Sequence, residues 1–301
     1  MAPSSNEHRL GCLLGLACGD AVGTTVEFRS RGSFEPLTDM VGGGPFGLAP
    51  GQWTDDTSMA LCLAESLVES DGFDPADQME RYVRWWRHGH LSSTGSCFDI
   101  GNTTAAALRR FERTGEPYSG STDPYTAGNG SIMRLAPISI YFSPDLEAVI
   151  HYSGESSRTT HGAAECVDAC RYFGSLLHLA LIGEDKEGIL TADAYSPQTP
   201  KIAAIARGDY QRKSCSAIRG SGYVVESLEA ALWCFWRTDS YEAAILEAAN
   251  LGDDADTTAA VCGQISGAYY GVGGMPEGWL AKVALRETII TLVERLGDRP
   301  R

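Results

Sequence analysis

The chain has 301 residues, 43% hydrophobic and 21% charged, with a formal net charge of −15. That composition suits a globular protein with a sizeable core, and the charge opposes electrostatic capture of nucleic acid. No run approaches the ~18 uncharged apolar residues of a membrane helix, and the N-terminal MAPSSNEHRL lacks the basic start and apolar run of an export signal.

Helical periodicity dominates from the start. Residues 10–22 form an apolar helix candidate dense in small residues, among them Gly11, Gly15, Ala17, Gly19 and Ala21. A glycine inside a helix costs about 1 kcal/mol relative to alanine, so a helix that keeps several implies a neighbour packed tightly against it. Packing does not explain Asp20 and Glu27, which bracket its end. Residues 57–69 read as a second helix. A third, 75–86, has Asp74 as N-cap and a proline at its start, and 103–111 is a fourth. The run 138–142 is too short to build a sheet, and no convincing period-two strand occurs elsewhere. Later helices are expected over 163–181, 224–236, 241–251, 257–270 and 279–296. The nine cysteines include no CxxC pair and lie mostly in these apolar stretches; they read as small buried hydrophobes in a reducing cytoplasm. No repeat or linker marks a boundary, so residues 1–301 are expected to form a single all-α domain, a helical bundle with functional loops at helix ends.

Two acidic signatures stand at helix starts. The first is Gly51-Gln52-Trp53-Thr54-Asp55-Asp56-Thr57-Ser58, just before the apolar run at Met59. Alone, its Thr and Asp read as caps that satisfy free backbone N–H groups and suit the positive end of the helix dipole. The second is Asn250-Leu251-Gly252-Asp253-Asp254-Ala255-Asp256-Thr257-Thr258. One cap needs one side chain, and clustered aspartates repel unless something positive lies among them. Two helix starts that each present Asp, Asp and Thr suggest a shared cation site. The donors are hard oxygens with no His or Cys close by, which favours Mg2+, Mn2+ or Ca2+ over Zn2+. Five or so carboxylates exceed what one Mg2+ usually takes from protein, so a pair of ions fits better. Side-chain chemistry alone stops at a binuclear hydrolase of unspecified substrate.

The order GCLLGLACGDAVGTTVEF (11–28), WTDDT (53–57), GNGSIMR (128–134), TH (160–161) and GDDADTT (252–258) resembles the ADP-ribosylglycohydrolases, nearest their bacterial dinitrogenase reductase-activating branch. The motifs lie far apart in the chain, and the likeness spans most of it. It implies a single orthogonal helical bundle whose cleft holds two Mg2+ or Mn2+ ions. By similarity Thr54, Asp55 and Asp56 bind metal from one side and Asp254, Asp256 and Thr257 from the other. Glu27 stands beside the metals, Asp253 supports or caps, and Asp20 is an internal structural acid. Gly128, Asn129, Gly130 and Ser131 form a turn expected to bring backbone N–H groups to phosphate and ribose; as a lone motif it would read as an ordinary turn. Gly101, Asn102 and Thr103 are expected to hold the diphosphate at a helix N-terminus, though a simple Asn or Thr cap looks the same in sequence. The resemblance places His161 at the ADP-ribose pocket and Tyr223 in its wall. Glu27 and Asp99 are the candidate catalytic carboxylates, with helix capping as the alternative role for Asp99.

The reaction so implied is hydrolysis of the bond from C1″ of ADP-ribose to a protein side chain, foremost mono-ADP-ribosylated arginine. Metal ions would orient the ribose hydroxyls and the transition state would resemble an oxocarbenium ion. Serine-linked ADP-ribose and small conjugates such as O-acetyl-ADP-ribose stay open as substrates. Two readings from other classes compete. A binuclear phosphoesterase usually adds histidine ligands, and this chain has six scattered His. A non-catalytic structural relative, such as the lens crystallins that resemble this family, is opposed by the intact Thr-Asp-Asp and Asp-x-Asp-Thr sets.

Overall fold

The computed structural model describes residues 5–191 and 193–297. The helices are α1 (Ser5–Gly23), α2 (Asp55–Glu69), α3 (Pro75–His88), α4 (Asn102–Thr114), α5 (Ala136–Phe142), α6 (Leu146–Thr160), α7 (Ala164–Leu181), α8 (Lys186–Thr191), α9 (Pro200–Ala206), α10 (Val224–Arg237), α11 (Tyr241–Ala249), α12 (Ala255–Tyr270), α13 (Glu277–Lys282) and α14 (Arg286–Gly297). Among the described residues β-pairing is limited to four isolated bridges, so the all-α expectation holds.

Three local expectations change. The run 138–142 lies in α5, whose first turn carries Pro137 and whose Ala136 N–H donates to Gln264 Oε1 at 2.7 Å. Helix α6 lacked a periodic signal because serines and threonines crowd its second half; its start is set by Asp145, whose carboxylate accepts from Ala148 N–H at 3.0 Å. The helix expected over 279–296 is broken between α13 and α14. There Leu285 takes a left-handed backbone with φ 52°. The preceding Ala284 is drawn to the loop before α2: its N–H donates to Gly51 O at 2.9 Å, and its carbonyl accepts from Trp53 Nε1 at 3.2 Å. Two tertiary hydrogen bonds outweigh the local helical pattern.

The element that positions the site is the antiparallel pair α1–α12. A Cβ at Gly11 would sit 2.1 Å from Gly267 O, at Gly15 2.3 Å from Gly263 O, and at Gly19 2.2 Å from Ala259 O. The residues repeat every four positions, so they share one face of α1, and the close neighbour implied by its glycines is α12. The backbones touch over four turns, with His8 Nδ1 bonded to Ala268 O at the far end. At the near end Gly23 lies against Ala255 O, where an added Cβ would be 2.3 Å away. The end of α1 is thereby fixed against the start of α12. Leu13, Leu16, Trp53, Met59, Phe173, Phe235 and Ile265 are among the fully buried side chains that close the core around this seam.

Candidate active site

Both acidic helix starts lack a side-chain bond from their own N-cap residues, Thr54 for α2 and Asp254 for α12. The capping comes from α1 and the turn after it. Asp20 Oδ1 accepts from Thr54 N–H at 2.8 Å and Thr54 Oγ1 at 2.9 Å, while Oδ2 accepts from Thr57 N–H at 3.1 Å and Thr57 Oγ1 at 2.6 Å. Glu27 Oε2 accepts from Ala255 N–H at 2.7 Å and Asp256 N–H at 3.1 Å. This corrects the local reading in which Thr54 and the neighbouring aspartates cap their own helices. Apart from Asp256 Oδ1, which accepts from Thr257 N–H at 2.6 Å, Asp55, Asp56, Asp254 and Asp256 converge with few donors to satisfy them.

The donor shortage is specific. Thr54 Oγ1 lies 2.9 Å from Asp20 Oδ1, 3.3 Å from Asp56 Oδ2 and 3.3 Å from Asp256 Oδ2, but carries one proton for three carboxylates. Thr257 Oγ1 reaches Asp56 Oδ2 at 3.4 Å. Asp56 Oδ1 is buried with no hydrogen-bond partner. Oxygens of Asp20, Asp56 and Asp256 come within 4.8 Å of one another, as do those of Glu27, Asp254 and Asp256, so Asp256 belongs to both groups. Burial first, then the charge of neighbouring carboxylates, raises Asp55, Asp56 and Asp256 well above the usual carboxylate range. Burial, then Asp254, pushes Glu27 up to about 8. Burial pushes Asp20 only to about 6, because its four hydrogen bonds pull the other way. An oxygen-only donor set with an orphaned buried oxygen and crowded negative charge fits hard divalent cations.

Above these carboxylates opens a cavity of ≈590 Å³, lined by Glu27, Phe28, Asp55, Asp99, Gly101, Asn102, Thr103, Gly128, Asn129, Gly130, His161, Asp254, Asp256 and Thr257 among others. Residues from seven separate stretches of sequence therefore meet. Thr54 and Asp56 lie beneath its surface. Thr104, Gly222 and Asp253 line it as well, and so do Phe28, Met133 and Ser221, which were not expected from sequence. Ser131 and Tyr223 were expected there but do not line it. Ser131 Oγ faces inward, accepting from Ser157 Oγ at 3.0 Å and Cys170 Sγ at 3.3 Å. Tyr223 is turned to the outside, where its hydroxyl meets Glu165 and Lys201 Nζ. Its backbone alone approaches the site, in a bridge with Gly128.

Asp99 is not a helix cap. The N-cap of α4 is Gly101, with no side-chain bond, and Asp99 has a left-handed φ of 61°. Burial pushes its carboxyl up to about 7, while a hydrogen bond with Asp256 draws it back. Asn129 Nδ2 donates to Asp254 Oδ2 at 2.9 Å, which ties the glycine turn to the carboxylates. His161 lies flat against that turn: a Cβ at Gly130 would be 2.7 Å from its Cε1 and 3.0 Å from its Nε2. Donor accounting fixes its proton. The buried Arg134 Nη2 donates to Thr160 Oγ1 at 2.7 Å, and Thr160 Oγ1 lies 2.8 Å from His161 Nδ1. Among the described residues Nδ1 is the one acceptor within reach of the Thr160 hydroxyl proton, an arrangement that leaves the ring proton on Nε2, beside the cavity. Burial, then Arg134, holds the imidazole neutral, with its pKa depressed to about 3.

The ADP-ribosylglycohydrolase family model matches residues 1–301. The chain is 53% identical over 96% of its length to the ADP-ribosylarginine hydrolase Tri1 of Pseudomonas putida (77% of that protein). It is 47% identical over 95% of its length to Tri1 of Serratia proteamaculans (78% of that protein). It is 32% identical over 94% of its length to the ADP-ribosyl-[dinitrogen reductase] glycohydrolase of Rhodospirillum rubrum (92% of that protein). A solved structure titled ADP-ribosylglycohydrolase-related protein complex superposes with a TM-score of 0.87 at 42% identity, covering 97% of this chain and 98% of that one. With this cavity, these paired helix starts and these relatives, the chain belongs to the ADP-ribosylglycohydrolase family.

Proposed function

We propose that this protein hydrolyses the bond between C1″ of ADP-ribose and an arginine side chain on a modified protein, or on a small ADP-ribosyl conjugate. The observation that carries the reading is the ≈590 Å³ cavity with a floor of under-donated carboxylates and walls from two glycine-rich turns. Arginine is favoured over serine because the relatives at 53% and 47% identity are named ADP-ribosylarginine hydrolases. The packing of α1 against α12 supports reading residues 1–301 as one domain. Among the described residues no helix is long and apolar enough to cross a membrane; seven of the nine free cysteines are buried, which supports residence in a reducing cytoplasm.

Thr54, Asp55 and Asp56 on one side, and Asp254, Asp256 and Thr257 on the other, are the residues we assign to two Mg2+ or Mn2+ ions. Such ions, when bound, supply fixed positive charge that orients ribose hydroxyls and polarises water. The remaining work falls to the chain. Backbone N–H groups at the start of α4, reached through Gly101, Asn102 and Thr103, suit the diphosphate. His161 Nε2–H offers a neutral donor to a substrate oxygen. Glu27 has Oε2 committed to two backbone N–H groups and Oε1 left to accept a proton from the attacking water. Asp99, which is not assigned to an ion and whose burial favours the protonated form, is placed to hand a proton to the departing guanidine nitrogen.

The test is to incubate the protein with arginine-, serine- and glutamate-linked ADP-ribose and to measure free ADP-ribose, phosphate and AMP. Release of ADP-ribose from the arginine conjugate is expected. Phosphate or AMP in its place would support a phosphoesterase; no product from any conjugate, together with no divalent binding by calorimetry, would support a structural relative.

A further inference from the structure

Six large hydrophobic side chains are strongly exposed among the described residues: Phe28, Val41, Tyr125, Ile182, Trp236 and Leu285. Of these, Phe28 alone lines the carboxylate cavity. It is 67% exposed and sits on a left-handed backbone with φ 62°, a conformation that costs a residue with a Cβ of its size. The surroundings hold it there. Phe28 N–H donates to Asp253 O at 2.8 Å and Asp253 N–H donates to Arg29 O at 2.8 Å, with Asp253 itself left-handed at φ 60°. Water-facing aromatics on strained backbone cluster where a ligand is received.

Phe28 does not stand alone. Its ring meets Phe46 edge-on at 6.2 Å between centroids, and Phe46 meets Phe98 at 5.2 Å. Phe98 immediately precedes Asp99. The contacts thus sort the cavity lining into two groups. Gly128, Gly130, Thr104 and His161 lie together and offer close backbone approach and neutral donors. The other group is Phe28 and Asp99, and Phe46 and Phe98 extend Phe28 into an aromatic lip beyond the lining itself. An ADP-ribosylated arginine has the same polarity: an anionic diphosphate at one end and a planar cation at the other. A guanidinium stacks on aromatic faces, and the exposed Phe28 ring supplies such a face at the lip.

We propose that the Phe28–Phe46–Phe98 lip is the surface that receives the acceptor arginine and the polypeptide carrying it, with Phe28 presenting its ring to the guanidinium. This rests on the arginine reading of the site. It assigns Phe28 to recognition of the leaving side and not to the nucleotide.

The experiment compares wild type with Phe28→Leu and Phe28→Trp, using ADP-ribosylated arginine in a protein and as the free amino acid conjugate, with ADP-ribose binding measured separately by calorimetry. Leucine keeps apolar bulk and removes the π face; tryptophan keeps the face. For Phe28→Leu the KM for both arginine conjugates should rise about fivefold with kcat and ADP-ribose affinity unchanged, and Phe28→Trp should restore KM. Unchanged KM in Phe28→Leu would overturn the assignment. So would equal weakening of ADP-ribose and arginine conjugates, which would place Phe28 at the nucleotide. Failure of the wild-type protein to turn over any arginine conjugate would instead remove the arginine reading and this assignment with it.

Discussion

The two acidic helix starts look alike in sequence and differ in how they are supported. At α2 the capping acid is Asp20, buried and saturated by four donors, with both oxygens in use. At α12 it is Glu27, which spends one oxygen on two backbone N–H groups and stands in the cavity wall. The titration follows the difference: Asp20 is pushed only to about 6 and Glu27 to about 8. A carboxylate with every lone pair engaged holds structure, whereas one with a free oxygen facing a cavity can also handle a proton. The same capping task therefore yields a structural acid at one helix and a candidate base at the other.

The strongest way to break this comparison is to remove what both sides share. Asp256→Asn should lower kcat/KM for the arginine conjugate by more than about a hundredfold while the protein stays folded by circular dichroism. EDTA should abolish turnover, with Mg2+ or Mn2+ restoring it. Full activity of protein verified metal-free by elemental analysis would end the cation assignment.

Next come the carboxylates placed at protons. Glu27→Gln keeps an amide oxygen to cap α12, so it should cost little stability yet reduce kcat by about a hundredfold. Asp99→Asn should do likewise while ADP-ribose affinity is retained; single-turnover rates beside calorimetry separate the two. Near-normal turnover in Asp99→Asn would take that residue out of the mechanism.

Asp20→Ala is expected to show the reverse profile. Leaving four donors at the start of α2 without an acceptor should cost about 2–4 kcal/mol in denaturant unfolding. A full-stability Asp20→Ala protein would erase the distinction between the two acids.

The smallest effect is one of pH. In metal-free protein Asp99 and Glu27 bind protons more tightly folded than unfolded. Their protonation contributes stability below the ordinary carboxylate range near pH 4, and that contribution is lost as pH rises to about 7 and about 8. The metal-free Tm should fall across that interval, and saturating Mg2+ should raise Tm by a few degrees more at pH 8 than at pH 5. A Tm indifferent to divalent ions throughout would contradict a native site.

Much of this was readable in the sequence, for identifiable reasons. Amphipathic or small-residue periodicity revealed most of the long helices, α6 excepted, and the clustered like charge at 54–56 and 253–256 stood out because nothing local could neutralise it. Other features were invisible because they depend on partners far away in the chain. The break before α14 comes from bonds between Ala284 and residues 51 and 53. Ser131 faces inward because Ser157 and Cys170 claim its hydroxyl, and Tyr223 is held outside by Glu165 and Lys201. Phe28 was hidden for a different reason: a lone phenylalanine after Glu27 gives no sign that a left-handed backbone will hold it toward solvent.

The α1–α12 seam also sets the order in which the molecule can be made. His8 and Ala268, which bond across it, lie 260 residues apart. At about 5–20 residues per second, a ribosome takes roughly 13–50 s to bridge that interval. During that time the glycine face of α1 has no backbone to close on, and Asp20 and Glu27 have one acidic helix start at most within reach. Such a distant contact closes late and raises contact order, which slows folding. The carboxylates meet only after nearly the whole chain has been synthesised. A nascent or truncated chain therefore carries half of the carboxylate cluster, and the cavity is complete only when the twelfth helix docks on the first.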